Sequence, residues 1–119
     1  MKTRIYGIRN CDTMKKAFAW LEANGIAYEF HDYKKGGVPP GKLKEWAGKA
    51  GWEKLANTRG PTWRKIPEAG RENLTEARML ALLEEHTSAI RRPIVEAGAK
   101  LLVGFDEGKF AEAFRSAIR

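Results

Sequence analysis

The stretch Tyr6-Gly7-Ile8-Arg9-Asn10-Cys11-Asp12-Thr13-Met14-Lys15-Lys16-Ala17 carries the sole cysteine of the chain across a change of hydrophobic period. Upstream of it, Ile5, Tyr6 and Ile8 are apolar and β-prone. Downstream, Met14, Ala17, Phe18 and Leu21 recur at spacings of three and four, the mark of an amphipathic helix. Cys11 is therefore expected at a strand-to-helix turn. Asp12 or Thr13 is placed to cap the helix by accepting a hydrogen bond from a free backbone N–H of the first turn. Those N–H groups favour an anion, and beside Cys11 the anion is a thiolate.

Working outward, the helix is expected from about Thr13 to Asn24, with Gly25 as the left-handed residue that ends it. Ile26 to Phe30 then alternates as a second strand, so the first thirty residues predict a βαβ unit with parallel strands. Asp32 to Gly41 is rich in turn residues and reads as a loop. Leu43, Trp46, Ala47 and Ala50 mark one helix; Trp52 and Leu55 mark a shorter turn; Asn57 to Thr62 breaks the pattern. Met79, Leu80, Leu82 and Leu83 mark another helix, from near Thr75 to His86.

From Ile90 the strand character returns. Arg92 to Glu96, a turn at Ala97-Gly98-Ala99, and Lys100 to Phe105 predict an antiparallel hairpin. Asp106 is placed to cap a last helix in which Phe110, Phe114, Ala117 and Ile118 share a face. The order βαβ, helices, ββα fits an α/β fold: a thioredoxin-like four-stranded mixed sheet in one domain over residues 1–119, with an inserted helical region at about 39–88.

At 119 residues the chain can build a core without disulfides or a structural metal, and 43% apolar against 31% charged residues is a globular balance rather than a disordered one. One cysteine excludes an intrachain disulfide, and the start has no long apolar segment of the signal-peptide kind, so a reducing cytoplasm is the expected location. The densest apolar run, Met79 to Leu83, is too short for a bilayer, and no membrane role is expected. A net charge of +7 attracts anionic partners. Its basic residues are spread along the chain without a nucleic-acid-binding pattern, so direct nucleic-acid binding is not expected.

His31 and His86 stand alone, without a carboxylate or cysteine cluster, so no metal site and no bound cofactor are expected. Gly36, Gly37 and Gly41 lie among prolines rather than opening a helix in the spacing that a phosphate-binding loop requires, so no such loop is expected. Trp20, Trp46 and Trp52 read as packing residues. Trp63-Arg64-Lys65 reads first as a packed tryptophan between solvated charges.

Three segments, Asn10-Cys11-Asp12-Thr13-Met14-Lys15-Lys16, Thr58-Arg59-Gly60-Pro61-Thr62-Trp63-Arg64-Lys65 and Ile90-Arg91-Arg92-Pro93-Ile94-Val95, resemble in order and spacing the arsenate-reductase-like (ArsC) family, and within it the YffB/Spx-like branch. The resemblance covers essentially the whole chain. It implies a thioredoxin-like fold with a helical insertion, a nucleophilic cysteine at Cys11, and at Pro93 a proline that is typically cis. It also implies that Arg92 corresponds to one of the arginines that hold the oxyanion in arsenate-reducing members, and that Arg59 matches another. Where those members carry a further arginine in the last strand, this chain has Val103, a departure that weakens the arsenate reading.

A lone cysteine is commonly a buried structural residue, but the turn position argues for a reactive one. A free thiol is only a few per cent thiolate at neutral pH. A helix terminus contributes at most about 2 kcal/mol to holding the anion, so a cation must add to it. Arg92 is the first candidate, with Arg59, Arg64 and Lys15 behind it, since a guanidinium keeps its charge and forks onto carboxylates; Arg91 reads as solvated. Thioredoxins resolve a mixed disulfide with a second cysteine three positions on, where this chain has Met14. Any redox cycle must borrow an external thiol, and glutathione, whose carboxylates suit a basic site, is the simplest co-substrate.

The expected function is a glutathione-dependent thiol–disulfide reductase with Cys11 and Arg92 as its catalytic residues and Arg59, Pro93, Lys15 and Arg64 as substrate-binding ones. The alternatives are arsenate reduction coupled to glutathione or glutaredoxin and, in another class, a non-enzymatic Spx-like regulator that binds RNA polymerase.

Overall fold

The computed structural model describes residues 2–118. They form two compact units: a sheet unit, residues 2–35 with 92–118, and a helical unit, Gly36–Arg91. The sequence expectation for the helical insertion, about 39–88, falls inside the second.

In the sheet unit, β1 (Thr3–Gly7) leads through α1 (Asp12–Ala23) to β2 (Glu29–Asp32), which lies parallel to β1 with Arg4 opposite Glu29 and Gly7 opposite Asp32. A single helical turn, α2 (Tyr33–Gly36), follows. After the helical unit, β3 (Ile94–Ala97) runs antiparallel to β1, and β4 (Lys100–Val103) antiparallel to β3. The strand order is β2-β1-β3-β4. This is the mixed sheet of a thioredoxin-like α/β fold.

Strand alternation puts Ile5, Phe30, Val95 and Leu102 on one face, where they meet Met14, Ala17 and Leu21 of α1 and Phe110 and Ala113 of α7 (Glu107–Ala113). Trp20 stands edge-on to Phe110 at 5.5 Å between ring centroids, and Phe105 does the same at 4.9 Å. Each fully buried Val, Leu, Ile, Met or Phe side chain here contributes about 1.5–3 kcal/mol, so this face anchors the unit.

Several boundaries depart from the sequence reading: β3 spans Ile94–Ala97 rather than starting at Arg92, and β4 ends at Val103 rather than Phe105. Neither Asp12 nor Thr13 caps α1: Cys11 itself is the N-cap, with extended backbone angles φ −148° and ψ 130°. The second strand starts at Glu29 rather than Ile26, because Ile26 belongs to the helix stop. With Gly25 at φ +68°, the N–H of Ile26 donates to the Leu21 carbonyl (2.9 Å) and that of Gly25 to the Glu22 carbonyl (3.1 Å), a paired closure that buries Ile26. The stretch read as loop from Asp32 opens with α2, started by the Asp32 carboxylate accepting from the Lys34 N–H at 2.9 Å. At the other end, Asp106 caps α7 as expected, accepting from the Lys109 N–H at 3.0 Å. The helix stops at Ala113, however, so Ala113 joins the buried face and Ala117 is exposed.

The helical unit holds α3 (Lys42–Ala50), a 3-10 turn (Trp52–Leu55), α4 (Pro61–Lys65), α5 (Glu68–Arg71), α6 (Glu76–Glu85) and a second 3-10 turn (Thr87–Ala89). Thr75 caps α6 by accepting from the Arg78 N–H. Leu43, Trp46, Leu55, Trp63, Met79 and Leu83 are buried. The last residues of the unit are tied to its middle by main-chain bonds, Arg91 N–H to the Leu55 carbonyl (2.7 Å) and Asn57 N–H to the Ala89 carbonyl (2.8 Å). Helix α4 starts inside the segment read as a break, because Pro61 takes the first helical position, where its missing N–H costs nothing. Among the described residues no helix is long and apolar enough to cross a membrane.

Candidate active site

Parallel pairing of β1 and β2 sends the segments that follow both strands to one end of the sheet, and the antiparallel β3 starts from that same end. Three pieces of chain meet there: the Cys11 turn after β1, α2 after β2, and Arg92-Pro93 before β3.

Cys11 is half-buried, packed in part against the core beneath α1. Its N–H donates to the Arg9 carbonyl at 3.0 Å, and its carbonyl accepts the first helical bond, from the Lys15 N–H, at 3.0 Å. No side chain caps the helix, so the first-turn N–H groups beside the sulfur have no side-chain acceptor. Arg9, two residues earlier, lays its guanidinium over the Phe30 ring at 5.2 Å. Lys15 is exposed on α1.

Gly7, buried at the end of β1, shows how closely the pieces pack. A Cβ at this residue would lie 2.5 Å from the Met14 sulfur, 2.8 Å from the Met14 methyl carbon and 3.6 Å from Cγ of Arg92. The stem of Arg92 therefore passes along the end of β1, and only a glycine leaves room for Met14. Met14, in the position of a thioredoxin's second cysteine, is fully buried and serves packing. Arg92 itself is half-buried and, among the described residues, its guanidinium has no hydrogen bond or ion pair. The Arg92–Pro93 peptide bond is cis, as the resemblance implies, and Pro93 is buried. Val103 pairs with Ile94 and is partly exposed.

A polar group on the same end was not foreseen. Tyr33 is only 3% exposed, yet its hydroxyl is buried without a hydrogen-bond partner. Burial pushes its phenol well above the ordinary range, the charges of Tyr6 and Glu96 push the same way, and Arg92 opposes them. Nearby, the Tyr6 hydroxyl donates to the Glu96 carboxylate at 2.7 Å. The signal for Gly7 was in the sequence, since a glycine inside an apolar strand marks a close approach. Tyr33 was hidden by its turn-rich surroundings. Its position just past β2 pointed to it, because ligands of open α/β sheets gather at the carboxyl ends of parallel strands.

Cys11, Lys15, Arg92 and Pro93 thus belong to the sheet unit. Arg59 and Arg64 belong to the helical unit and are exposed there. The Arg59 N–H donates to the Asn57 side chain at 3.3 Å, and Arg64 lies in α4.

The profile of the ArsC family matches residues 6–113 of the chain. An uncharacterized protein of Haemophilus influenzae is 38% identical over 110 residues, 92% of this chain and 96% of that one. Global transcriptional regulator Spx 1 of Lactococcus lactis is 28% identical over 105 residues, 87% of this chain and 81% of its own. Among solved structures, the YFFB (PA3664) protein superposes with a TM-score of 0.89 at 40% identity, covering 99% of this chain and 100% of its own. An arsenate reductase (ArsC) related protein from Brucella melitensis does so with a TM-score of 0.74 at 44% identity, covering 97% and 96%.

Proposed function

The chain belongs to the ArsC family, and on that premise we propose that it is a glutathione-dependent thiol–disulfide reductase working through one activated cysteine. The observation that carries this reading is that the sole cysteine is itself the N-cap of α1, with the first-turn N–H groups free of any side-chain cap. Those N–H groups offer donors and partial positive charge to a sulfur that attacks or leaves as an anion. Arg92 supplies a cation at the same end of the sheet, and a guanidinium suits the carboxylates of glutathione.

In the cycle, the Cys11 thiolate attacks one sulfur of a substrate disulfide, forming a mixed disulfide and expelling the other half as a thiolate. A glutathione thiolate then attacks Sγ of Cys11, releasing the bound half and leaving Cys11 joined to glutathione. A second glutathione attacks the glutathione sulfur, which frees the Cys11 thiolate and yields glutathione disulfide. One substrate disulfide is reduced, two glutathiones are oxidised, and protons from the two thiols end on the products. Met14 cannot perform the resolving attack, so an external thiol is required. The cycle suits a reducing cytoplasm, where such thiols are kept available.

Incubation with glutathione disulfide followed by intact mass measurement tests the reading. Wild type is expected to gain one glutathionyl group, which reduced glutathione removes, and Cys11→Ser to gain none. No adduct, or one that reduced glutathione leaves in place, overturns it.

Similarity to a protein named as a global transcriptional regulator favours a second reading, a non-enzymatic regulator that binds RNA polymerase. Met14 denies it a dithiol switch within this turn. Retention of polymerase from lysate by both wild type and Cys11→Ser protein supports this role, and retention by neither removes it. Arsenate reduction would use the same thiol, and with Val103 in place of a further arginine little arsenate-dependent turnover is expected.

A further inference from the structure

Strand β4 ends the sheet, and its outer edge has no strand beside it. The hairpin fixes which groups lie there. The Gly104 N–H donates to the Pro93 carbonyl at 2.8 Å, so alternation along the antiparallel pair leaves Val103 and Leu101, opposite Ile94 and Glu96, in its non-hydrogen-bonded positions. The N–H and C=O groups of these two residues therefore point outward, and among the described residues no main-chain bond reaches them. Both side chains are partly exposed, on the sheet face opposite the one that Leu102 shares with α7.

On the α7 side, an open groove of about 370 Å³ lies between strand and helix. Lys100 and Leu102 wall it on the strand, Lys109 and Glu112 on the helix, and Arg115 lines a hollow that adjoins it at Lys100 and Glu112. Three cations thus meet one carboxylate, and among the described residues none of the three has an ion pair. At the opposite edge of the sheet the cations are already matched, since Lys2 and Arg4 reach Glu29 at 3.7 and 3.3 Å.

We infer that the free edge of β4, with this groove, is a docking site for an extended acidic segment of a partner protein, which adds a strand to the sheet. A strand laid there exchanges main-chain bonds with Leu101 and Val103 and sends alternate side chains to the two faces. Those on the α7 side enter the groove among Lys100, Lys109 and Arg115, which selects carboxylates. Those on the other side lie against Leu101 and Val103, which selects apolar residues. The recognised pattern is acidic and apolar residues in alternation. A second copy of the chain fits less well, because the net charge is +7 and a lysine on an edge strand repels a like-charged edge. The site contains neither Cys11 nor Arg92, so it does not depend on the reductase reading.

The test titrates the full chain with the blocked peptide Glu-Val-Glu-Val-Glu-Val-Glu at up to millimolar concentration and follows the main-chain amides. The amide resonances of Leu101 and Val103 are expected to shift and their hydrogen exchange to slow, while the Leu102 amide, which faces β3, changes less. The counterpart with lysine in place of glutamate is expected to bind about fivefold more weakly or worse, and the double variant Lys100→Glu with Lys109→Glu to reverse that order. No shift at Leu101 and Val103 overturns the inference. So does equal binding of the glutamate peptide with all its inner amide nitrogens methylated, which keeps the charges and removes the donors. Shifts at the same two amides that follow the concentration of the protein alone, with a dimer in sedimentation equilibrium, assign the edge to a second copy and overturn the inference as well.

Discussion

Tyr33→Phe should make the protein more stable. The substitution keeps the ring of a residue that is only 3% exposed and deletes only a hydroxyl that is buried without a partner. Leaving a buried polar group unsatisfied costs about 1–3 kcal/mol, and that penalty disappears in the variant. For a chain of this length the gain corresponds to a rise in melting temperature of roughly 4 °C per kcal/mol. A second effect follows from the raised phenol pKa. Between the ordinary tyrosine value and the raised one, the native state holds a proton that the unfolded state has lost. Stability from this source is therefore complete below about pH 10 and falls by up to about 1.4 kcal/mol per pH unit above it. Urea unfolding of both proteins at pH 7 and near pH 11 reads both effects. The variant should be the more stable at neutral pH, and its advantage should widen in alkali. A Tyr33→Phe protein that is less stable at pH 7 would show that the hydroxyl has a partner and that the reasoning is wrong.

Gly7→Ala should cost about 1–3 kcal/mol, because the new methyl would lie 2.5 Å from the Met14 sulfur; in Met14→Ala the same change should cost markedly less, and a double-mutant cycle by urea unfolding that finds strict additivity would refute the contact. Asp106→Ala removes the acceptor of the Lys109 N–H and should cost about 1 kcal/mol, with Asp106→Asn recovering most of it, as read by thermal unfolding. Arg59→Ala and Arg64→Ala, at exposed positions, should each change stability by less than about 0.5 kcal/mol. Any slowing of glutathione disulfide reaction at Cys11 in these two would therefore report on binding rather than on folding.

The sheet was legible because β1, β3 and β4 are short apolar, β-prone runs between turn signals. The three-and-four spacing of Met14, Ala17 and Leu21 located the buried side of α1. What failed were the places where the backbone meets its own needs first. Ile26 is β-branched and reads as strand, yet its N–H closes α1, so tertiary demand overrode propensity. Pro61 looked like a breaker and opens α4 instead. At the site, Cys11, Arg92 and Pro93 were readable as residue types, one from its turn and two from their motif. Gly7 and Tyr33 carried weaker signals, a glycine inside an apolar strand and a tyrosine just past β2, and the tight contact of the one and the unpartnered hydroxyl of the other show only when the surroundings are placed.

Because the sulfur-bearing residue is also the helix cap, chemistry at Cys11 and the integrity of α1 cannot be varied independently. Serine is a stronger cap than cysteine, so the usual inert control, Cys11→Ser, should begin its helix more firmly than the native protein. Oxidation of the sulfur to a sulfinate would place a fixed negative charge at the positive end of the dipole and tighten the first turn in the same way. Slower amide hydrogen exchange at Thr13 and Met14 would then report the oxidation state of residue 11.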